Sequence, residues 1–412
     1  MGTFTTEDAR RLLPLFEPFA GGDGSGSSPS GAAAAAAADI KQLAGYDDLN
    51  FRVSCGGRAF VLKIHCAADS TPAGFAVFEA QSDAMEHVAQ DGRVLSNRPV
   101  PLACAAAAAA GAAGGGRVAA AEVMGATRAV RMLTYVEGDV MGLRPLSPQL
   151  QRALGAFVAR LVSALAGFDR PALHGQQGDW AVEGAAAAMR RNLGKITSFD
   201  GRQRELILAA AVRFEAAVAR AGGAPPRQVC HSDVNDNNVL VTAARDDVTG
   251  LLDWGDAAHC WRVVELAVAV AYAMLLSADD AAGGPGSDPG GGGGGGGREE
   301  GAGDEDAPLR TGAGVVAGYL SAGGPLTPAE RALLPALVGG RVGASLTNGA
   351  RAAAANPGNS AYLLATQRPG WRLLGRLQGM EEAEVETALL ADWDGRQAAA
   401  RRGAPAAAAV TG

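Results

Sequence analysis

The chain has 412 residues and a formal net charge of −7, with 48% hydrophobic but only 5% aromatic residues. This length provides one large or two to three ordinary domains, and the acidic balance excludes binding of nucleic acid through bulk positive charge. No segment has the length and apolar character of a membrane span, and the 5 cysteines form no C-x-x-C pair. We therefore expect a cytoplasmic protein with reduced thiols that binds neither nucleic acid nor a membrane, and no obligate protein partner is evident.

Four tracts of low complexity interrupt the chain, at about 21–38, 103–116, 279–308 and 397–412. They consist of alanine, glycine and serine runs, one of them with acidic residues, and none has a periodic apolar face. Such sequences bury too little apolar surface to offset the entropy lost on ordering. We therefore expect three flexible insertions and a disordered tail.

The predicted elements, in chain order, are first mainly strands and then mainly helices. A helix with Thr5 or Thr6 at its N-cap is followed by predicted strands at 51–53 and 59–65, a helix at 71–90, strands at 118–124 and 129–135, helices at 147–168, 184–193 and 202–221, strands at 238–242 and 249–253, and helices at 263–276 and from 328. This order predicts an α+β protein with a small β-rich lobe over 1–133, a connector over 134–139 and a larger, mostly helical lobe over 140–396.

The strongest chemical signal begins at His231 and has the form H-x-D-x-x-x-x-N, then a strand, a turn, a strand and D-W-G. Phosphoryl transfer needs a carboxylate that orients the attacking hydroxyl and accepts its proton, and oxygen ligands for Mg²⁺. Asp233 fits the first role, Asn238 and Asp253 fit the second, and His231 would brace the loop. The alternative is a solvated acidic turn with a structural histidine. The predicted hairpin and the D-W-G at its end favour the catalytic interpretation.

A lysine in the predicted strand at 59–65 adds a possible phosphate ligand. Lys63 precedes a helix that carries Glu79, and a lysine–glutamate pair of this kind grips nucleotide phosphates. Glu86 lies on a similar face of the same helix, so spacing alone leaves the partner open. The usual G-x-G-x-x-G loop is missing. The turn before Asn50 could approach phosphate through its backbone N–H groups instead.

In these motifs the chain resembles the aminoglycoside phosphotransferase and choline kinase branch of the protein-kinase-like fold, and within it the hydroxylysine kinase subfamily. The resembling segments are 46–51, 61–64, 79–81, 130–138, 231–238, 252–256 and 264–267, with Ser147, Trp180, 326–330, Arg341 and 370–371. The resemblance implies a two-lobed fold in which Asn50, Lys63 and Glu79 contact the nucleotide. It also implies that Thr134, Tyr135 and Val136 form the hinge where backbone groups hold the base.

The resemblance further implies a reaction. The γ-phosphate of GTP (or ATP) would pass, with Mg²⁺, to the hydroxyl of 5-hydroxy-L-lysine, giving 5-phosphohydroxy-L-lysine and GDP. Such an amino-acid acceptor carries ammonium groups and a carboxylate, so its pocket needs both charges. Asp256 and Glu265 are candidates for the ammonium side, Arg341 for the carboxylate, and Trp180 for a wall of the pocket. The alternatives are a loop-bracing carboxylate, a buried capping glutamate, a surface arginine and a core aromatic residue.

One departure from the family pattern concerns Ser232, which stands where the family usually has glycine. If that position requires a positive φ, serine adds strain there, although we expect activity to survive. Two other functions remain open. The acceptor could be another amino alcohol, such as homoserine, choline or an aminoglycoside, phosphorylated with ATP. Alternatively, the chain could be a pseudokinase that acts as a binding module. The presence of all four residues Lys63, Asp233, Asn238 and Asp253 argues against this alternative.

Overall fold

A computed structural model of the chain describes residues 4–20, 31–43, 45, 47–104, 106, 116–142, 144, 146–176, 178–222, 225–280 and 304–403. The chain divides into two compact units. The first contains Met1–Gly138, Gly167–His174 and Gly250–Ala257, and the second contains Asp139–Ala166, Gly175–Thr249 and Ala258–Gly412. Two segments that the sequence pattern assigns to the helical lobe, 167–174 and 250–257, therefore pack with the first unit. Within the described ranges, no helix combines the length and the hydropathy needed to cross a membrane.

The described part of the first unit contains a sheet and several helices. Its elements are α1 (Thr6–Arg10), α2 (Gly31–Ala37), β1 (Asp39–Leu43), β2 (Leu49–Cys55), β3 (Arg58–Ile64), α3 (Pro72–Asp91), β4 (Leu95–Ser96), β5 (Val118–Val123) and β6 (Ala126–Thr134). The five longer strands form an antiparallel sheet in the order β1-β2-β3-β6-β5. β1 escaped the sequence analysis because its charged and polar residues show no apolar alternation. In this order β3, which carries the candidate lysine, is the central strand.

Helix α3 begins and ends where the sequence predicts. The Thr71 hydroxyl accepts a hydrogen bond from the Gly74 N–H at 3.1 Å, and Pro72 occupies the first helical position. Gly92 ends the helix at a φ of 74°, a left-handed conformation that glycine adopts without a Cβ penalty. The buried face of the helix includes Phe78 and Gln81. The residue at which α3 begins therefore determines which of its side chains point toward β3.

The core of the first unit covers one face of the sheet and extends into a tract predicted to be flexible. Phe60, Leu62 and Ile64 of β3 alternate into this core, as their spacing predicts. Ala34 and Ala35 of α2 pack against the same cluster, and Arg10 Nη1 donates to the Ala35 carbonyl at 2.6 Å. Residues 31–38 thus differ from the predicted flexible insertion, because small alanines fit closely against an apolar surface that the sequence pattern did not connect to them. Residues 21–30 lie outside the described part.

The second unit is mostly helical. Its elements are β7 (Asp139–Val140), α4 (Pro148–Ala164), α5 (Ala185–Leu193), α6 (Gly201–Ala221), β8 (Arg227–Cys230), β9 (Val239–Val241), β10 (Val248–Leu251), β11 (Ala258–Trp261), α7 (Val263–Asp280), α8 (Ala307–Ser321), α9 (Pro328–Ala355), α10 (Ser360–Leu363), α11 (Gln367–Gln378) and α12 (Glu382–Gly403), with the end of β10 in the first unit. Helices α4 and α8 approach so closely that a Cβ on Gly155 would lie 1.9 Å from the Val315 carbonyl oxygen. Small residues therefore permit this packing.

The remaining low-complexity tracts are only partly described. Residues 105, 107–115, 281–303 and 404–412 lie outside the described part, so the flexibility predicted for them stays a prediction. Helix α12 continues to Gly403, beyond the predicted start of the tail at 397. Three elements of the second unit position the candidate site. β8 leads into the loop at His231, and helices α7 and α9 carry Glu265 and Arg341.

Candidate active site

The loop that follows β8 is held by a buried carboxylate of α7. Both the His231 and the Ser232 backbone N–H groups donate to Glu265, at 2.7 Å and 3.3 Å. His231 is completely buried, and its Nδ1 accepts a hydrogen bond from the Asp233 N–H at 3.2 Å. His231 therefore braces the loop from inside, as the sequence predicts for it.

The Asp233 carboxylate is held by donors on both of its oxygens. Oδ2 accepts from Asn238 Nδ2 at 2.7 Å, and Oδ1 accepts from Asn235 Nδ2 at 2.9 Å and from Arg341 Nη2 at 2.5 Å. Asn238 Nδ2 also donates to the Asp233 carbonyl at 3.0 Å. The H-x-D-x-x-x-x-N spacing thus produces one local network in which the amide of Asn238 orients the carboxylate of Asp233.

Arg341 lies close to two aromatic rings beside this carboxylate. Its guanidinium carbon is 4.8 Å from the ring centre of Trp180 and 5.4 Å from that of Tyr272. Nη1 donates to the Trp180 carbonyl at 3.3 Å, and the side chain is 2% exposed. A planar cation between two rings keeps its orientation, and both rings stabilise its charge. The structure therefore unites three of the predicted residues, Asp233, Arg341 and Trp180, in the second unit.

Glu265 occupies a different position from the substrate contact that the resemblance suggested. The residue is completely buried, and both of its oxygens accept N–H groups of the catalytic loop. Burial raises the pKa of Glu265 to about 7, although the two backbone hydrogen bonds oppose that shift. Glu265 therefore positions the loop, and both of its oxygens are engaged there.

Ser232 adopts the conformation that glycine would favour. Its φ is 69°, in the left-handed region, where a side chain normally costs about 1–2 kcal/mol. Its hydroxyl lies 3.6 Å from the Cys260 sulfur in a buried environment. The strain anticipated from the sequence is therefore present in the backbone of the loop.

Lys63 and Asp253 form an ion pair within the first unit. Lys63 Nζ donates to Asp253 Oδ1 at 2.9 Å and lies 3.4 Å from Asp48 Oδ2. Burial lowers the pKa of Lys63, but the two carboxylates outweigh it, so the net shift is upward and the ammonium stays charged. Partial burial raises the pKa of Asp253, yet Lys63 reverses that effect and holds it below its usual range. The Asp253 side chain is 49% exposed, which leaves carboxylate surface for a ligand.

A chain of buried polar groups lies beside Lys63, and the sequence analysis did not identify it. Asp48 Oδ2 lies 3.0 Å from His65 Nδ1, and Arg131 Nε donates to His65 Nε2 at 3.0 Å. Burial and the positive charge of Arg131 lower the pKa of His65 to about 4, so the ring is neutral near pH 7. A neutral ring that accepts at Nε2 carries its proton on Nδ1 and donates it to Asp48. One signal was available: His65 shares a strand face with Lys63, and Arg131 is paired directly opposite Lys63.

Glu79 does not pair with Lys63, which corrects the sequence-based assignment. Its Oε1 accepts the backbone N–H groups of Arg117 and Val118 at 2.9 Å and 3.0 Å, and the Arg117 guanidinium lies 3.4 Å from Oε2. The alternative, Glu86, also pairs with Arg117, at 2.9 Å. Position 79 is about 100° around the helix from Phe78, which faces the sheet, so the glutamate points toward β5. The positions of Glu79 and Glu86 on the helix therefore exclude both as the partner of Lys63.

The other predicted nucleotide residues, and Asp256 as the candidate for the ammonium side of the acceptor, lie at strand ends or in turns of the first unit. Asn50 of β2 is paired opposite Lys63, and Asp256 lies half-buried in the turn after Asp253. Thr134 ends β6, where its hydroxyl accepts the Arg98 N–H at 2.8 Å, and the Tyr135 N–H donates to Ala59 at 3.0 Å. The last of this group, Val136, follows as a partly buried residue. The contact of Asp256 with the acceptor and the contacts of the other four residues with a nucleotide remain predictions.

Each of the two predicted metal ligands, taken by itself, offers an oxygen atom that suits a divalent ion of the magnesium type. The amide nitrogen of Asn238 donates a hydrogen bond to Asp233, so the side-chain carbonyl oxygen is the atom available to a cation. Asp253 offers an ionised and half-exposed carboxylate. Hard oxygen ligands of this kind suit Mg²⁺, which retains several waters and takes only one or two protein ligands. Asn238 belongs to the second unit and Asp253 to the first.

A second acidic residue of the catalytic loop also escaped the sequence analysis. Asp236 is 2% exposed, and its Oδ2 has no hydrogen-bond partner within the described residues. Burial raises the pKa of Asp236 to about 6, with a contribution from the charge of Asp233. The loop therefore contains one carboxyl that is fully bonded, at Asp233, and one that is buried with an unsatisfied oxygen.

The relatives found by comparison with known proteins are kinases. A hydroxylysine kinase of Danio rerio is 27% identical over 355 residues, which cover 84% of this chain and 88% of that protein. A hydroxylysine kinase of Bos taurus is 27% identical over 267 residues, or 62% of each chain, so the match spans about three fifths of that relative's length. Among solved structures, a microcompartment-associated aminopropanol kinase has a TM-score of 0.62 at 18% identity, covering 92% of this chain and 100% of that chain. An amicoumacin kinase in complex with AMP-PNP and Ca²⁺ has a TM-score of 0.53 at 15% identity, covering 84% and 87%.

The structural likeness shows that the chain has the kinase-like α+β fold, which confirms the fold class predicted from the sequence. A family model also matches residues 39–290, more than half of the chain, and this span includes the lysine strand, the catalytic loop and Asp253. The chain belongs to the phosphotransferase enzyme family (APH).

Proposed function

We propose that this protein is a small-molecule kinase that transfers the γ-phosphate of GTP to the hydroxyl of 5-hydroxy-L-lysine. The observation that carries the proposal is the Asp233 carboxylate, held by Asn238 at 2.7 Å and by Arg341 at 2.5 Å in a loop braced by Glu265. A loop that orients one carboxylate so completely suits the positioning of an acceptor hydroxyl. The hydroxylysine kinases among its relatives support this choice of acceptor.

The proposed roles divide between donor and acceptor. Lys63 would bind the nucleotide phosphates, Asn50 and the stretch from Thr134 to Val136 would contact the nucleotide, and Asn238 and Asp253 would hold Mg²⁺. When bound, the metal ion neutralises charge on the phosphate oxygens. Asp233 would accept the hydrogen bond, and then the proton, of the attacking hydroxyl.

The charge of Arg341 supports an acceptor that carries a carboxylate. Arg341 is a buried cation that forms an ion pair with Asp233. A substrate carboxylate that binds to Arg341 would compete with Asp233 for its donors and would release an Asp233 oxygen for the hydroxyl. Substrate binding would thereby prepare the base. Asp256 is the proposed partner of an ammonium group of the acceptor.

Initial rates with a donor and acceptor panel test this proposal. The panel contains GTP and ATP with 5-hydroxy-L-lysine, its decarboxylated analogue, homoserine, choline and an aminoglycoside. We expect GTP with hydroxylysine to give the highest kcat/KM, and loss of the carboxylate to lower it by about tenfold or more. Faster transfer to the decarboxylated analogue or to choline would overturn the proposed class of acceptor but not the proposed kinase activity. Absence of transfer with every pair, in protein that binds Mg²⁺–nucleotide, would favour a pseudokinase.

A further inference from the structure

The partner of the phosphate-binding lysine is the feature in which this chain departs from the expected arrangement. The carboxylates that pair with Lys63 within the described residues are Asp253 at 2.9 Å and Asp48 at 3.4 Å. Asp253 is the proposed metal ligand, so a bound cation would compete with Lys63 for it. Asp48 has no such second role. It is therefore the carboxylate that remains for Lys63 when the nucleotide and the metal ion are bound.

Asp48 is held in place by a backbone N–H group and by a buried histidine. Its Oδ1 accepts the Cys66 N–H at 3.0 Å, and its Oδ2 lies 3.0 Å from His65 Nδ1. The His65 ring stacks on Phe78 with ring centres 3.7 Å apart, and its far nitrogen accepts from Arg131. These contacts fix the Asp48 carboxylate independently of its contact with the ammonium. Burial opposes ionisation of Asp48, but the bond from His65 and the charge of Lys63 hold its pKa far below the usual range.

Helix α3 contributes neutral side chains to this neighbourhood. Phe78 packs on His65, and one turn later Gln81, 1% exposed, donates from Nε2 to the Gly255 carbonyl at 2.9 Å. Glu79 is directed away from that face and is committed to the backbone at the start of β5. The helix that would usually provide the carboxylate thus provides an aromatic ring and an amide.

We infer that Asp48, and not Glu79, is the positioning residue that orients Lys63 toward the nucleotide phosphates. This inference rests on the proposed function, because it takes Lys63 to be a nucleotide ligand. Asp48 acts through Lys63 and does not touch the nucleotide itself. His65, in its neutral form, links Asp48 to Arg131 and fixes the direction of the carboxylate.

Nucleotide affinity measured by titration calorimetry with Mg²⁺–GTP and Mg²⁺–ATP tests the inference in four full-length variants. We expect Lys63→Met and Asp48→Asn each to weaken binding by about tenfold or more, and the matched variant Glu79→Gln to bind as the wild type does. The double variant Lys63→Met/Asp48→Asn should bind no more weakly than Lys63→Met alone, because Asp48 acts only through the lysine. Circular dichroism and melting temperature establish that each variant is folded. If Asp48→Asn is not folded, Asp48→Glu replaces it, with a smaller loss expected.

The outcomes separate the inference from the proposed function. Unchanged affinity in Lys63→Met would overturn the nucleotide role of the lysine and the inference with it. Weak binding in Lys63→Met together with normal binding in Asp48→Asn would overturn the inference alone. Equal losses in Glu79→Gln and Asp48→Asn, or additive losses in the double variant, would also overturn it, since both indicate a structural effect on the whole unit.

Discussion

Arg341 Nη2 donates to Asp233 Oδ1 at 2.5 Å, which joins a cation on α9 to the acid of the catalytic loop. The pair is nearly dry, because the Arg341 side chain is 2% exposed and that of Asp233 is 16% exposed. A buried pair contributes little net stability when intact, but removing one partner leaves an uncompensated charge. The two residues should therefore behave as a unit in both stability and catalysis.

Substitution of Arg341 tests this coupling. Arg341→Met keeps most of the packing between Trp180 and Tyr272 but leaves Asp233 without its cation, so we expect a loss of about 3 kcal/mol of unfolding free energy. Adding Asp233→Asn should restore part of that loss, since the orphaned charge is then removed. Urea denaturation of the two single variants and the double variant measures the coupling. Strictly additive effects would show that the pair does not act as a unit.

Ser232 provides a prediction about strain. Ser232→Gly should raise the unfolding free energy by up to about 1 kcal/mol, because glycine relieves the positive φ while gaining freedom in the unfolded chain. Activity should remain near that of the wild type. The control is Ser232→Ala, which removes the hydroxyl but keeps the strain and should give no gain. Equal melting temperatures for the glycine and alanine variants would argue against strain at this position.

Glu265 makes stability depend on pH with a defined sign. Its pKa of about 7 in the fold exceeds the value of 4.5 for an ordinary glutamate. The folded state therefore binds its proton more tightly between these values, and stability falls as pH rises through that window. Glu265→Gln removes the charge but keeps an acceptor for the loop. The melting-temperature difference, variant minus wild type, should increase between pH 5 and pH 8. A difference that is constant with pH would contradict the assignment.

Asn238 should control the requirement for metal. Asn238→Ala removes the proposed oxygen ligand and a donor to Asp233, so we expect a lower kcat and a Mg²⁺ concentration for half-maximal rate that is about tenfold higher or more. Asn237→Ala, a substitution of the exposed neighbour, is the matched control and should change neither value. A lower kcat with an unchanged Mg²⁺ requirement would assign Asn238 to the orientation of Asp233 alone.

The hydrogen-bond network of the loop at 233–238 can be anticipated from the sequence because it is local. Asp233, Asn235 and Asn238 lie within six residues and bond to one another, so their spacing specifies their geometry. Helix α3 is equally predictable, because Thr71 and Gly92 mark its ends. The kinase-like fold follows from the order of these motifs.

The partners of distant residues could not be predicted in the same way. Glu79 is one helical position from the face that meets β3, and no spacing rule distinguishes it from a lysine partner until the helix is seen against the sheet. Asp48 lies in the turn before Asn50, and the sequence of that turn does not indicate that its carboxylate reaches Lys63. Glu265 stands in a mostly apolar stretch of sequence. Its hydrogen bonds to the loop arise from how α7 packs beside β8. Tertiary contacts of this kind have no local signature.

The most direct test of the central claim is phosphate transfer to 5-hydroxy-L-lysine by the wild type and by Asp233→Asn, with nucleotide affinity measured on the same preparations. Loss of the base should lower kcat by about 10²-fold or more while leaving Mg²⁺–GTP binding intact. We expect acceptor-dependent formation of GDP by the wild type and its near absence in the variant. Equal turnover in the two proteins would contradict the assignment of Asp233, and with it the proposed active site.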